Sequence, residues 1–342
     1  MEPETAASPA PDGAPSLRDV YRARRAVAGV VRRTPLVESR ALSRIAGGPV
    51  HLKLENLQVT GAFKARGAAN ALAALDAAAR RRGVIAVSTG NHGRAVATAA
   101  GRLGVNAVVC VSERVPEDKL AALRATGCEL LVGGDSQDEA EARARELMAE
   151  RGLTLVHPFD DARVIAGQGT IGLEILEELP DVDTVIVPLS GGGLIAGVAL
   201  ALKSAERAIR VVGVSMQAGA AMARSLQAGR PVPTPEEPTL ADSLQGGIGE
   251  RNRFTFAMVR RLVDEVVLVD EAAIAQAMRF AFEEEKQVLE GAAAVSIAAL
   301  LQRRVAVGPG PSAVVCSGGN IATERFLRVV ADAVPFRREE ED

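Results

Sequence analysis

Apolar and polar positions along the chain switch between two periods, and this switching lays out the elements. Over 17–31 the apolar residues Val20, Ala23, Val27 and Val31 recur at helical spacing. Thr34-Pro35-Leu36-Val37 ends that helix and opens extended structure. Alternation over 50–55 predicts a strand, and the Ala-rich run that follows predicts a helix over 67–79. Strand and helix then repeat. Short apolar strands are expected at 83–87, 107–111, 129–132 and 154–156, with helices over 94–103, 116–126 and 136–151 between them. A second series runs from Gly167: a helix to Leu179, a strand at 184–187, a helix over 195–203 and a strand at 210–214. The Pro-rich span 229–238 reads as a surface loop. A strand at 266–269, a helix over 271–289, a second helix from Gly291 and a strand at 313–316 complete the series.

Apolar strands alternating with helices indicate parallel sheets covered on both faces. The break between Phe159 and Gly167 divides the pattern in two. The expected fold class is therefore α/β, with two open, twisted, mostly parallel sheets flanked by helices and a cleft between them. The expected organisation is a disordered tail at 1–16, a large domain of 17–77 with 157–335, a small α/β domain at 78–156, and a charged tail at 336–342.

Composition narrows the classes of function. A net charge of -3 over 342 residues gives no electrostatic reason to expect nucleic acid or an anionic membrane as partner. There is no Trp, so single strands would find no stacking platform, and the core must be aliphatic. Cys110, Cys128 and Cys316 are too far apart in sequence to suggest a zinc or redox motif and read as buried apolar residues. No signal-like segment or membrane-length apolar run is present, so a cytoplasmic protein is expected.

The candidate chemistry lies in loops that follow strands, where open α/β sheets bind ligands. Lys64 sits in Gly61-Ala62-Phe63-Lys64-Ala65-Arg66-Gly67-Ala68, at a helix entrance that disfavours a free cation. An amine held as a Schiff base beside a phosphate would suit the position. Pro188-Leu189-Ser190-Gly191-Gly192-Gly193-Leu194 exposes backbone N–H groups at another helix entrance, an anion cradle without the Lys-Ser/Thr of a Walker loop. No acidic residue follows at ribose-binding distance, so a phosphate without a nucleotide is the better fit. Ser88-Thr89-Gly90-Asn91-His92-Gly93 can hold a carboxylate, and its Asn91 can bond a phenolic oxygen. Ser317 in Cys316-Ser317-Gly318-Gly319-Asn320 can donate to a ring nitrogen. Each loop alone reads equally well as an ordinary turn. Together they supply the contacts that pyridoxal phosphate needs.

With these motifs, joined by His157-Pro158-Phe159-Asp160-Asp161 and Ile165-Ala166-Gly167-Gln168-Gly169-Thr170, the sequence resembles the tryptophan-synthase-β-like (fold type II) pyridoxal-phosphate enzymes. Within them it resembles the serine/threonine dehydratases, from about Arg32 to Asn320. The resemblance implies Lys64 as the Schiff-base lysine beside Phe63, and Asn91 as partner of the phenolic oxygen. It implies Gly191, Gly192, Gly193 and Leu194 as phosphate ligands and Ser317 opposite the pyridine nitrogen. Ser88, Gly90 and His92 would surround the substrate carboxylate. Thr89 occupies the place of the second acid/base serine of serine racemases, which makes it a second catalytic candidate and puts racemisation in doubt.

Three further departures matter. Ser190 replaces the first of four glycines usual in the phosphate loop. Ser215-Met216-Gln217 lacks the glutamate of the family's cation site, so no metal is expected. The regulatory domain of biosynthetic threonine dehydratases does not follow Ser317, which argues against feedback by isoleucine. The stretches 188–193, 212–216 and 241–249 look like hydroxyectoine-utilisation dehydratases. The implied activity is β-elimination on a small β-hydroxy amino acid, giving a 2-keto acid and ammonium, in a homodimer. Racemisation or β-replacement on the same fold, a nucleotide-binding oxidoreductase and a non-catalytic cofactor-binding protein stay open at this point.

Overall fold

The computed structural model describes residues 10–336 except 89, 114, 116, 135 and 136, with the side chains of 118, 119, 137 and 138 also set aside. Its ten named strands are β1 (Leu36–Glu38), β2 (Val50–Leu54), β3 (Val84–Val87), β4 (Ala107–Val111), β5 (Glu129–Val132), β6 (Thr154–Leu155), β7 (Thr184–Pro188), β8 (Arg210–Met216), β9 (Glu265–Val269) and β10 (Ser312–Cys316). They form two sheets, a six-stranded one ordered β1-β2-β10-β7-β8-β9 and a four-stranded one ordered β5-β4-β3-β6. Every pairing between these strands is parallel except that of β1 with β2, which places an antiparallel strand at one edge. The chain is thus an α/β protein with two mostly parallel, helix-flanked sheets.

The unbroken apolar runs of the central strands follow from this layering. In β7, Ile186 packs into one apolar cluster with Val212, Val314 and the helices 271–283 and 291–301. Its neighbours Val185 and Val187 enter the cluster on the other face, with Val211, Val315 and the helices 162–178 and 193–205. Both faces of the strand are dry, so period-two polarity has no place to appear.

Four departures from the expected elements stand out, three of them with a local cause. The Ala-rich segment is two helices, Lys64–Ala73 and Ala77–Arg82. Asp76 breaks it by accepting the Ala79 N–H (2.7 Å) as an N-cap, a bond a helix interior would deny it. The helix expected to reach 289 stops at Glu283. There three consecutive glutamates would meet the negative end of the helix dipole, and Lys286 turns left-handed (φ 57°). The helix expected from Gly167 begins at Ala162, where Asp161 caps Arg163 and Val164. The first helix ends at Val27 rather than Val31. The helices Arg40–Ala46, Ala221–Ala228, Thr255–Leu262 and Thr323–Asp332 had no counterpart in the sequence reading.

One close crossing sets the position of Lys64. A Cβ on Gly167 would lie 2.6 Å from the Arg66 carbonyl oxygen and 2.7 Å from the Gly67 Cα. The helix of Lys64 and the helix 162–178 therefore touch backbone to backbone, which only glycine allows. No helix among the described residues is long and apolar enough to cross a membrane.

Candidate active site

The loops after β3, β7 and β10 open into one cleft of about 900 Å³. Ten of the anticipated side chains and glycines line it beside Lys64: Phe63, Ser88, Gly90, Asn91, His92, Gly191, Gly192, Gly193, Leu194 and Ser317. Thr89 lies outside the described residues. Residues from four distant stretches are thus gathered at the carboxyl ends of three parallel strands.

Lys64 begins its helix, and its Nζ donates to the Pro158 carbonyl oxygen at 2.7 Å. The start of this helix is tied to the end of β10, because the Phe63 N–H donates to the Ser317 carbonyl oxygen (3.0 Å). Burial pushes the amine from 10.5 down to about 8, against the charge of Glu290, which raises it. His157 shapes the acceptor. Its Nδ1 accepts the Asp160 N–H (2.8 Å) and the Phe159 N–H (3.3 Å), folding the turn that presents Pro158. Burial lowers the His157 pKa despite the opposing charge of Asp160, so the lone pair stays available.

The glycine loop packs on the same turn. A Cβ on Gly191 would meet the Phe159 ring at 2.5 Å, so any larger residue there would displace the ring or the loop. Gly192 is the left-handed N-cap (φ 88°) of the helix Gly193–Ala205, with no side chain capping it. Its first N–H groups therefore remain for an anion. Ser190, the departure from four glycines, donates its hydroxyl to the Leu244 carbonyl oxygen (2.9 Å) and ties this loop to the cleft wall at 242–247. Asp160 steadies the far side by accepting the N–H groups of Arg253, Phe254 and Thr255 at 2.6 to 2.9 Å.

The third loop ends in Gly90, the N-cap of the helix Asn91–Leu103, again without a side-chain cap. His92 is buried behind it, and its Nε2 donates to the Val156 carbonyl oxygen at 2.7 Å. Burial, with the nearby charge of Lys64, pushes its pKa down to about 3. It is a neutral ring whose Nε2 is already committed.

Glu290 and Asn320 also line the cleft, and the sequence assigns neither of them a role. Glu290 is buried, accepts from Asn91 Nδ2 (2.8 Å) and precedes the apolar helix Gly291–Leu301. The signal available was a carboxylate directly before the apolar run 291–301. Asn320 was part of a motif but carried no function; its Nδ2 donates to Asn91 Oδ1 at 2.7 Å.

The site as built fits pyridoxal phosphate: a lysine of lowered pKa, a cradle that a Cβ would fill, and an uncapped helix end for the phosphate. Relatives agree. The chain is 50% identical over 327 residues, 96% of its length and 98% of the other's, to a protein of Sinorhizobium fredii described provisionally as a threonine dehydratase. It is 43% identical to the L-threonine ammonia-lyase of Thermotoga maritima, over 92% of this chain and 78% of that one. Among solved structures it superposes on a threonine deaminase from T.th. with a TM-score of 0.83 at 41% identity, covering 90% of this chain and 99% of that one. It superposes on maize serine racemase with a TM-score of 0.87 at 34% identity, covering 93% and 97%. The family model described as pyridoxal-phosphate dependent enzyme matches residues 27–318, the span that holds both sheets and every cleft residue named above except Asn320. By this match and by the construction of its cleft, the chain belongs to the pyridoxal-phosphate dependent enzymes.

Proposed function

We propose that the protein is a hydroxy-amino-acid dehydratase, which removes water from L-threonine, L-serine or a larger β-hydroxy amino acid and releases a 2-keto acid and ammonium. The observation that carries this is the amine of Lys64, lowered toward neutrality and placed in the same cleft as two uncapped helix N-termini. One terminus suits a phosphate and the other a substrate carboxylate. The relatives named as threonine dehydratases, ammonia-lyases and deaminases support the reading.

Pyridoxal phosphate, when bound, supplies an aldehyde that condenses with amines and a ring that accepts the electron pair left at the α-carbon. The chain does the rest. Gly191, Gly192, Gly193 and Leu194 would hold the phosphate through backbone N–H groups, Asn91 would donate to the ring oxygen, and Ser317 would bond the ring nitrogen. Ser88, Gly90 and the first turn of the helix 91–103 orient the substrate carboxylate, with His92 as a neutral wall. Lys64, as a free amine, takes the α-proton and, as the ammonium so formed, gives it to the departing β-hydroxyl, which leaves as water. The enamine product then hydrolyses in solvent to the 2-keto acid and ammonium. A neutral Ser317 cannot keep the ring nitrogen protonated as a carboxylate would, which favours prompt loss of the β-group over reprotonation.

The narrower substrate we propose is the acetylated hydroxydiaminobutyrate expected from ring-opened hydroxyectoine. Asp242, Ser243, Gln245 and Glu236 also line the cleft, and such groups suit an amide-bearing side chain better than a methyl group. Keto-acid release from L-serine, L-threonine and this larger substrate tests both levels. Turnover of the larger substrate alone upholds the narrow reading, and fast turnover of threonine removes it while keeping the dehydratase. No keto acid from any of the three, with cofactor bound, overturns the dehydratase and leaves racemisation or β-replacement.

The lowered pKa of Lys64 makes a separate prediction for the cofactor-free protein. Only the neutral amine attacks an aldehyde, so the rate of cofactor capture rises with pH and levels off above about 8. Because the charge of Glu290 raises that pKa, Glu290→Gln is expected to move the midpoint to lower pH. Stopped-flow absorbance across pH reads both; a flat profile contradicts the assignment of Lys64 as the capturing amine.

A further inference from the structure

We propose that Asn320 and Glu290 are positioning residues that fix the orientation of the Asn91 amide, so that a donor rather than an acceptor faces the ring oxygen of the cofactor. The inference rests on the preceding assignment of Asn91 to that oxygen. An asparagine amide has a donor end and an acceptor end of nearly equal size, so its own packing does not choose between them. Turned the wrong way, Asn91 would oppose its carbonyl to an anionic oxygen.

The choice is made by a chain of bonds that begins at a group of fixed polarity. The Thr60 carbonyl oxygen can only accept, and Asn320 Nδ2 donates to it at 2.8 Å. The same Nδ2 gives its other hydrogen to Asn91 at 2.7 Å, so the Asn91 atom facing it must be Oδ1. Asn91 Nδ2 then donates to Glu290 Oε1 at 2.8 Å, the carboxylate whose charge also raises the Lys64 amine. Both anchors therefore demand the same orientation. One hydrogen on Asn91 Nδ2 satisfies Glu290, and the second remains for the cleft. All three side chains line that cleft, and Asn91 and Glu290 are buried, so water offers no ready substitute for a lost anchor.

The test uses the cofactor-free protein titrated with pyridoxal phosphate, reading the dissociation constant and the visible absorption of the bound form. Asn320→Ala and Glu290→Met, which each remove one anchor, are expected to weaken binding by about tenfold and to shift the band. Glu290→Gln keeps an acceptor for Asn91 and is expected to keep the wild-type band. In an Asn91→Ala background, titrated at a pH well above 8 where the Lys64 amine is neutral with or without the charge of Glu290, neither Asn320→Ala nor Glu290→Met should change binding or spectrum further, because no amide is left to orient. Wild-type behaviour of both anchor variants, or an undiminished effect in the Asn91→Ala background, overturns the proposal. If Asn320→Ala does not fold, as judged by thermal melting, the Glu290→Met cycle alone decides it. Should Asn91→Ala itself bind cofactor with the wild-type constant and band, the assignment of Asn91 to the ring oxygen has failed, and the proposal falls with it. The keto-acid assay of the wild-type enzyme tests the dehydratase reading independently of that outcome.

Discussion

Lys64→Ala is expected to abolish keto-acid release, lowering turnover by about a thousandfold or more, because the same amine captures the cofactor and carries the α-proton. The visible absorption of bound cofactor should disappear with it. Stability should not suffer. The amine is placed at a cost, since burial lowers its pKa against the Pro158 carbonyl, the Phe63 ring and the charge of Glu290. Thermal melting of the cofactor-free variant is thus expected at or slightly above the wild-type temperature, which separates loss of chemistry from loss of fold. Turnover within tenfold of wild type would remove Lys64 from the mechanism. Lys64→Arg should be equally inactive, because a guanidinium keeps the charge yet neither condenses with an aldehyde nor gives up its proton at neutral pH.

Arg66→Met is expected to cost the most stability of any single change near the site. Arg66 and Glu55 are wholly shut off from solvent, as is Lys53, with Glu174 nearly so. The guanidinium donates to both Glu55 oxygens at 2.8 Å and to both Glu174 oxygens at 2.6 and 2.8 Å. Lys53 Nζ adds a contact to Glu174 (2.7 Å) and one to the Thr34 carbonyl oxygen (2.6 Å). Two cations and two carboxylates thus balance inside the protein. Removing Arg66 leaves Glu55 and Glu174 short of a partner, and a broken buried pair of this kind costs about 3–5 kcal/mol. The midpoint of urea unfolding should fall accordingly; a loss below about 1 kcal/mol would mean that the cluster is reached by water.

The same cluster predicts an acid dependence. Burial alone would raise the Glu174 carboxyl, but Arg66 and Lys53 outweigh it and hold the pKa below the ordinary glutamate range. Its folded value lies under its unfolded value, so this contribution is present above the ordinary range and is lost as pH falls through the depressed one. Wild type and Arg66→Met should accordingly differ most near neutrality and converge in acid. Arg66 lies two residues after Lys64, so the variant should also bind cofactor less tightly through movement of the helix start.

Much of this architecture is local and was therefore legible. Short apolar runs between helical patterns identify parallel strands because both faces of such strands are dry, and the glycine runs at 191–193 and 318–319 mark loops where backbone must be bare. Lys64 stands out because a cation at a helix entrance contradicts the local electrostatics. Each of those signals is written within about a dozen consecutive residues, so the fold class, the strand-end loops and the lysine could be read from the chain locally.

Tertiary structure alone decided what those loops do to each other. Asn91 meets Glu290 across 199 residues and Asn320 across 229, while Arg66 meets Glu174 across 108. Nothing in the periodicity of either partner records such a meeting. The lowered pKa of Lys64 and the neutrality of His92 are likewise absent from the sequence, because burial is a property of what surrounds a group after folding. Periodicity reports which face of an element is dry. Which polar groups share the dry space, and in which orientation, is settled only when the two sheets and their loops close around it.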